Sequence, residues 1–285
     1  RYEFSHRERV MTELLPKLKE LVLVAKSYDI GFTVDAEEAD RLDLSLDIIE
    51  AIYSDDALGD WGGFGLAVQA YQKRALFVIE WLVQLARRVK RPLMVRLVKG
   101  AYWDTEIKTT QQKGLDHYPV FTRKASTDVC YKACAIKLLE ARDVLYPQFA
   151  THNAYTAATI LEVAKGDHTG FEFQRLHGMG ESLFDQIVSS EKIQCRVYAP
   201  VGEHENLLAY LVRRLLENGA NSSFVNAIVD TSQPVEALLP DPVETLQSLR
   251  NKYNTQIKLP VDLYGSERAN SKGLDLTDVD SLTTF

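Results

Sequence analysis

The feature that most constrains this chain is an alternation. Short apolar, β-rich runs take turns with longer stretches of helical periodicity. Six runs read as strands: Ile30–Val34, Gly65–Val68, Leu93–Val98, Phe149–Thr151, Phe171–Phe173 and Arg196–Tyr198. Helical patterns cover Val10–Tyr28 before the first strand, Arg74–Val89 and Thr127–Leu139 between strands, and Asn206–Glu217 after the last. Strand–helix alternation of this kind predicts a parallel α/β architecture. A doubly wound nucleotide-binding sheet would carry GxGxxG in its first strand–helix turn, and the chain has none. What recurs is a polar residue at each strand end: Asp35, Gln69, Lys99, His152, Gln174 and Tyr198. In a (βα)8 barrel such ends form one rim, where active sites lie. One polar strand end means little; six with different chemistry favour a shared site. A closed barrel needs eight strands, so the first ones are expected upstream of Arg1.

Composition narrows the class. The 285 residues are 46% hydrophobic and 26% charged, as in ordinary soluble domains. Forty acidic against 33 basic residues give a net charge of -7, which argues against a nucleic-acid partner. No run of about 18 apolar residues is present, so no membrane-spanning helix is expected; a peripheral membrane contact would leave no such mark. Three cysteines, Cys130, Cys134 and Cys195, are too few and too uneven for a disulfide framework, and point to a reducing compartment. Cys130 and Cys134 lie four apart and so share a helix face, reading as small buried residues. No CxxC or HExxH occurs, so any metal site would be assembled from scattered residues. The chain opens Arg1–Phe4 without an initiator Met or signal peptide, and reads as an internal segment. Beyond Gly219 the periodicity weakens, and from Leu259 the chain turns polar and Gly/Ser/Asp-rich. The expected division is a barrel over 1–258 and a linker over 259–285.

Two stretches carry most of the chemistry. Val95–Asp104 places two cations, Arg96 and Lys99, around a strand end, followed by Gly100, Tyr102 and Trp103. Glycine admits close approach to the backbone, and Arg and aromatics stack on flat rings. The set suits a large planar anionic ligand, or else a strand whose cations reach solvent beside core aromatics. Arg213 and Arg214 sit within an apolar helix, at i,i+4 and i,i+3 to Glu217. Such spacings suit ordinary surface ion pairs. Surrounded by Leu207, Leu208, Leu211, Val212, Leu215 and Leu216, the same two guanidiniums would instead grip a carboxylate bidentately. Asp35 is a rim candidate; Glu37, Glu38 and Asp40 suit a helix start; Asn153 suits an N-cap. A metal-dependent barrel aldolase or hydrolase built on Asp35, Glu37, His152 and His177, and a non-catalytic docking fragment, are the competing readings.

The stretches Asp35–Arg41, Gln69–Arg74, Arg96–Trp103, Tyr118–Lys124, Tyr146–Asn153, Leu176–Gly180, Tyr198–Gly202 and Tyr210–Asn221, in this order, resemble the proline dehydrogenase domain of the bacterial bifunctional proline utilization A flavoenzymes. The tail Leu263–Asn270 resembles that family's lead into its aldehyde dehydrogenase half. The resemblance implies a distorted (βα)8 barrel holding FAD non-covalently and oxidising L-proline to Δ1-pyrroline-5-carboxylate. It implies electrons passed to a membrane quinone by a cytoplasmic enzyme, peripheral on the inner face of the membrane and oligomeric at full length. It places Arg96 near flavin N5, and Gln69, Val98, Lys99, Gly100, Trp103, Thr122, Arg123, Lys124, Thr151, His152 and Asn153 around the cofactor. Arg213 and Arg214 would clamp the proline carboxylate, Arg214 reaching toward FAD as well. Tyr198, Tyr102, Leu97 and Leu176 would wall the proline ring, and Asp35 and Glu217 would balance the cations. An early Lys and an early Glu of the family's site would lie upstream of Arg1.

Overall fold

The computed structural model describes Tyr2, residues 4–214 and residues 240–283. Among these, six strands form one parallel sheet in chain order: β1 (Phe32–Val34), β2 (Phe64–Gln69), β3 (Leu93–Val98), β4 (Leu145–Ala150), β5 (Glu172–Leu176) and β6 (Cys195–Tyr198). Each step between neighbours is a crossover. Helix α1 (Leu15–Ser27) precedes the sheet; α2 (Leu42–Tyr53), α3 (Ala75–Val89), α4 (Trp103–Lys113), α5 (Lys124–Glu140), α6 (Ala154–Ala164) and α7 (Glu181–Glu191) connect the strands. Residues 204–214 form helix α8. Helix α9 (Pro242–Ser248) packs on α5.

Strand β3 shows why the sheet has two unlike faces. Leu93, Val95 and Leu97 are buried, whereas Met94, Arg96 and Val98 are half-buried, the period-2 signature of a pleated strand. The register carries this parity across the sheet: Leu97 aligns with Phe149, Phe149 with Phe173, and Phe173 with Cys195. This row joins Tyr131 and Cys134 of α5 in the core between sheet and helices. Helix α3 buries Ala75, Val78, Ile79, Leu82, Val83 and Ala86 against it, apolar positions at helical spacing. Each fully buried Leu, Val or Phe contributes up to about 2 kcal/mol.

The opposite row aligns Ala67, Arg96, Gln148 and Glu172. On that face the guanidinium of Arg96 lies 4.9 Å from the ring of Tyr198, three strands away. Across a flat sheet the two strands would be about 14 Å apart. The sheet therefore curls, with helices outside and polar side chains inside: an α/β half-barrel.

Some elements differ from the expectation. The strand expected over Phe149–Thr151 starts at Leu145 and runs through Pro147, a residue that argues against a central strand. The strand expected over Phe171–Phe173 runs from Glu172 to Leu176, so Gln174 sits mid-strand rather than at its end. The helix expected from Val10 opens as a π-turn over Val10–Leu14. The chain after α9 also bonds back to earlier elements. Asn254 N–H donates to Thr122 Oγ1, the Tyr118 hydroxyl to the Lys258 carbonyl, and Asn270 Nδ2 to the Gln111 carbonyl.

Candidate functional site

The carboxyl ends of the strands converge on Arg96. Its Nε donates to Gln174 Oε1 at 2.7 Å, and its Nη1 to Asp35 Oδ1 at 2.5 Å. Asp35 is exposed on the rim, while the Arg96 side chain is largely sheltered. The guanidinium lies on the Tyr198 ring, a cation–π pairing. Burial pushes the Tyr198 phenol above its ordinary range, against the opposing pull of Arg96. The hydroxyl is therefore neutral, and available as a donor, at physiological pH.

Beneath Arg96 lies a buried carboxylate. Glu172, 1% exposed, accepts from Gln148 Nε2 at 3.0 Å and Gln174 Nε2 at 2.7 Å on Oε1. Arg196 grips both of its oxygens, at 2.8 and 2.9 Å. A buried charge persists only when paired and hydrogen-bonded, and this one is both. Gln148, Glu172 and Arg196 were not singled out in the sequence. The available signal was parity: they are polar residues on the Arg96 side of apolar strands.

The rim loops are tied together by Gln69. Its Nε2 donates to the Glu37 carbonyl at 2.7 Å, and its Oε1 accepts from Ala101 N–H at 3.2 Å. Gly100 follows with φ of 141°, and a Cβ there would stand 2.4 Å from the Tyr71 ring. Only glycine fits both demands. Lys99 and Lys124 share the carboxylate of Asp128, at 2.5 and 2.7 Å. Burial pulls the Lys99 ammonium below its ordinary range, and Asp128 works against that shift.

The other expected cofactor residues are scattered along the same rim. Trp103 Nε1 donates to the Phe121 carbonyl at 2.8 Å, and Arg123 Nε to the Tyr253 carbonyl at 2.9 Å. Thr122 holds Asn254. Thr151 Oγ1 accepts from Asn153 N–H at 3.1 Å, and Asn153 caps α6 by accepting from Thr156 N–H at 2.9 Å. His152 Nε2 accepts from Leu176 N–H at 3.0 Å. Val98 belongs to the half-buried row of β3 with Arg96.

Helix α8 brings two more cations. Arg213 lies 5.2 Å from the Tyr102 ring, and Arg214 the same distance from the Tyr210 ring. The charge of Arg214 is felt at Tyr198, so α8 reaches the same rim. The Nε of Arg213 is buried and meets no hydrogen-bond acceptor among the described residues. The expected apolar surround is different in detail: Leu208, Leu211 and Val212 are exposed, and aromatic rings cover the guanidiniums instead. Glu217, Leu215 and Leu216 lie outside the described residues.

The site thus gathers Asp35, Arg96, Gln174, Tyr198 and Arg214 at one place, with Tyr102 and Arg213 at its edge. Leu176 is buried and in register with Tyr198. Leu97 lies in the core row between sheet and helices, on the face opposite Arg96. Among the described residues, no group of three or more His, Cys, Asp or Glu is arranged to hold a metal ion. Nor is any helix long and apolar enough to cross a membrane.

A parallel half-barrel with a cationic, aromatic cluster at the carboxyl ends of its strands defines a barrel-type enzyme domain. The chain belongs to the proline dehydrogenase family, whose sequence model matches residues 2–227. It is 53% identical over 298 residues to the bifunctional protein PutA of Klebsiella aerogenes, covering 100% of this chain and 23% of that protein. It is 28% identical to proline dehydrogenase 1 of Bacillus subtilis over 74% of this chain and 62% of that one. A crystal structure of a variant of Bradyrhizobium japonicum proline utilization A superposes with a TM-score of 0.94 at 57% identity, over 100% of this chain and 29% of that chain. The chain thus spans about a quarter of the length of the PutA proteins it matches.

Proposed function

We propose that this chain is the flavin-binding part of a proline dehydrogenase, oxidising L-proline to Δ1-pyrroline-5-carboxylate with FAD and passing the electrons to a membrane quinone. The observation that carries the reading is Arg213, whose buried Nε has no acceptor among the described residues and sits beside a second guanidinium. Buried donors are normally satisfied, and a carboxylate ligand would satisfy this one. Arg213 and Arg214 would hold the substrate carboxylate, fixing the ring's position by charge-assisted hydrogen bonds. Tyr198, Leu176 and Tyr102 would exclude water around the ring.

The donor set also fits FAD. Lys99 and Lys124 share one carboxylate, so the trio keeps a net positive charge suited to a diphosphate, and Arg123 follows Thr122 directly before Lys124. Gln69, Val98, Gly100, Trp103, Thr122, Thr151, His152 and Asn153 would complete the cradle around Arg96. When bound, FAD supplies the acceptor for the hydride lost from the proline ring. Asp35 would balance the charge of Arg96, and Glu217 that of the arginine pair. Residues 259–285 would lead toward a second domain, consistent with the greater length of the PutA relatives. In the longer protein we place the enzyme in the cytoplasm, oligomeric, and peripheral on the inner membrane face where the quinone resides.

The metal-hydrolase reading loses its support, because Asp35 is committed to Arg96 and His152 to the Leu176 amide. The test is spectroscopic. The purified chain, supplied with FAD and then anaerobic L-proline, is expected to show a visible flavin band that bleaches. A flavin that proline never bleaches even in a chain extended upstream would sink the substrate assignment, and the absence of flavin binding by that extended chain would sink the cofactor assignment.

A further inference from the structure

Helix α5 carries two thiols that the proposed reaction does not use. Cys130 and Cys134 lie one turn apart, with their Sγ atoms 3.9 Å from each other. Cys134 is fully buried in the core, and Cys130 is partly open to solvent. Asp128, which holds Lys99 and Lys124, lies just before this turn. Cys195, the remaining cysteine, has no thiol partner among these contacts.

We propose that Cys130 and Cys134 form a reversible dithiol–disulfide site, oxidised by hydrogen peroxide. The chemistry balances in two steps. The Cys130 thiolate attacks the peroxide, taking one oxygen to become the sulfenic acid while the O–O bond breaks and hydroxide leaves. The Cys134 sulfur then attacks the sulfenic sulfur. The S–S bond forms and the S–OH bond breaks. The oxygen departs as water with the Cys134 proton, and the peroxide has accepted two electrons from the thiol pair.

The roles follow from the surroundings. The open thiol meets the oxidant, and the buried one resolves it. The contact between the two sulfurs holds the Cys130 thiol below its ordinary range and Cys134 above its own. Burial pushes the Cys195 thiol up, so the same chain contains its own slow control. Geometry makes the bond reversible. Helix positions four apart keep their Cβ atoms about 5–6 Å apart, whereas a disulfide needs about 3.5–4.5 Å. Closure therefore deforms the turn, and strained disulfides are the readily reduced ones.

The sequence supplies a direct readout. Lys132 lies between the two cysteines, so trypsin releases 125–132 and 133–137 as separate peptides unless a disulfide joins them. The full chain is treated with hydrogen peroxide, alkylated, digested without reductant and weighed. The expected product is the joined pair, two hydrogens lighter than its parts, parted again by dithiothreitol. In Cys134→Ala, the Cys130 sulfenic acid is expected to persist and to be trapped by dimedone. Separate, unoxidised peptides would overturn the proposal. So would direct passage of Cys130 to the sulfinic acid in the unaltered chain, or oxidation of Cys195 as fast as Cys130. The measurements on the unaltered chain need no variant to fold.

Discussion

Glu172 and Arg96 never touch, yet one orients the other through Gln174. Gln174 Nε2 donates to Glu172 Oε1 at 2.7 Å, while its Oε1 accepts from Arg96 Nε at the same distance. A carboxylate can only accept, so the amide must present its NH2 downward and its oxygen upward. The buried charge on β5 thereby fixes which atom the rim arginine meets, and Asp35 holds that arginine from the other side.

Replacing Glu172 tests this stack. Glu172→Gln leaves Gln148 and Gln174 donating to a neutral amide and strips Arg196 of its bidentate partner. Losing a buried acceptor costs about 1–3 kcal/mol. The urea midpoint should fall accordingly with the m-value unchanged. Arg96→Lys breaks the Nε contact above and should cost less, since its Asp35 partner is exposed. Equal stability of Glu172→Gln and the unaltered chain would mean that the stack has no energetic weight.

The arginine pair makes a kinetic prediction. Arg213→Lys and Arg214→Lys keep the charge but lose the planar fork. One charge-assisted hydrogen bond to a carboxylate contributes roughly 1.5–3 kcal/mol, or about 10- to 150-fold in kcat/KM. The loss should appear chiefly in KM for proline, with flavin content retained for Arg213→Lys. An unchanged KM in both variants would place the carboxylate elsewhere.

The two strands reading most clearly in the sequence, Gly65–Val68 and Leu93–Val98, were legible because their apolar runs are compact and free of proline. Pro147 masks the first half of β4, and β5 reads too early because Gln174 looks like a strand end. Gln174 is mid-strand, and the buried charge of Glu172 that opens β5 is tolerated only because Gln148 and Arg196 arrive from β4 and β6. That compensation is a tertiary fact, invisible to local periodicity. The cations of the site were visible as residue types, but their partners were not. Asp128 holding Lys99, and Tyr102 beneath Arg213, depend on how far the sheet curls and how α8 folds over it.

The tail offers a prediction about anchoring. Gly114 closes α4 with φ of 61°, and a Cβ on it would stand 1.9 Å from the Ser271 carbonyl oxygen. Its own carbonyl accepts from Gly273 N–H at 3.1 Å. Gly114→Ala should cost about 1–2 kcal/mol through the positive φ and push the tail away. Limited proteolysis should then cut within 250–275 well before it cuts the barrel. An unchanged cleavage pattern would show that the tail gives way locally without leaving α4.

Glu106 makes the pH prediction. It is 6% exposed, and accepts from Ala39 N–H at 2.6 Å and more distantly from the Tyr71 hydroxyl. Burial raises its carboxyl above the ordinary value of 4.5, the Ala39 amide opposes this, and the charges of Asp40 and Glu38 add to the rise. The folded chain therefore holds this proton more tightly than the unfolded chain does. Between 4.5 and the raised value the folded state binds more protons, so this group's contribution to stability falls as pH rises through that window. Above the window the cost is constant; below it the cost is absent. Glu106→Gln keeps the oxygen that accepts from Ala39 and removes the titration. The variant should gain stability relative to the unaltered chain as pH rises from about 4.5, the folded-state advantage of a neutral side chain growing until the raised pKa is passed and then levelling. Urea midpoints for both proteins at several pH values decide it. A difference that stays constant across the acid range would show that Glu106 titrates no differently folded than unfolded, and that the Ala39 amide fully offsets its burial.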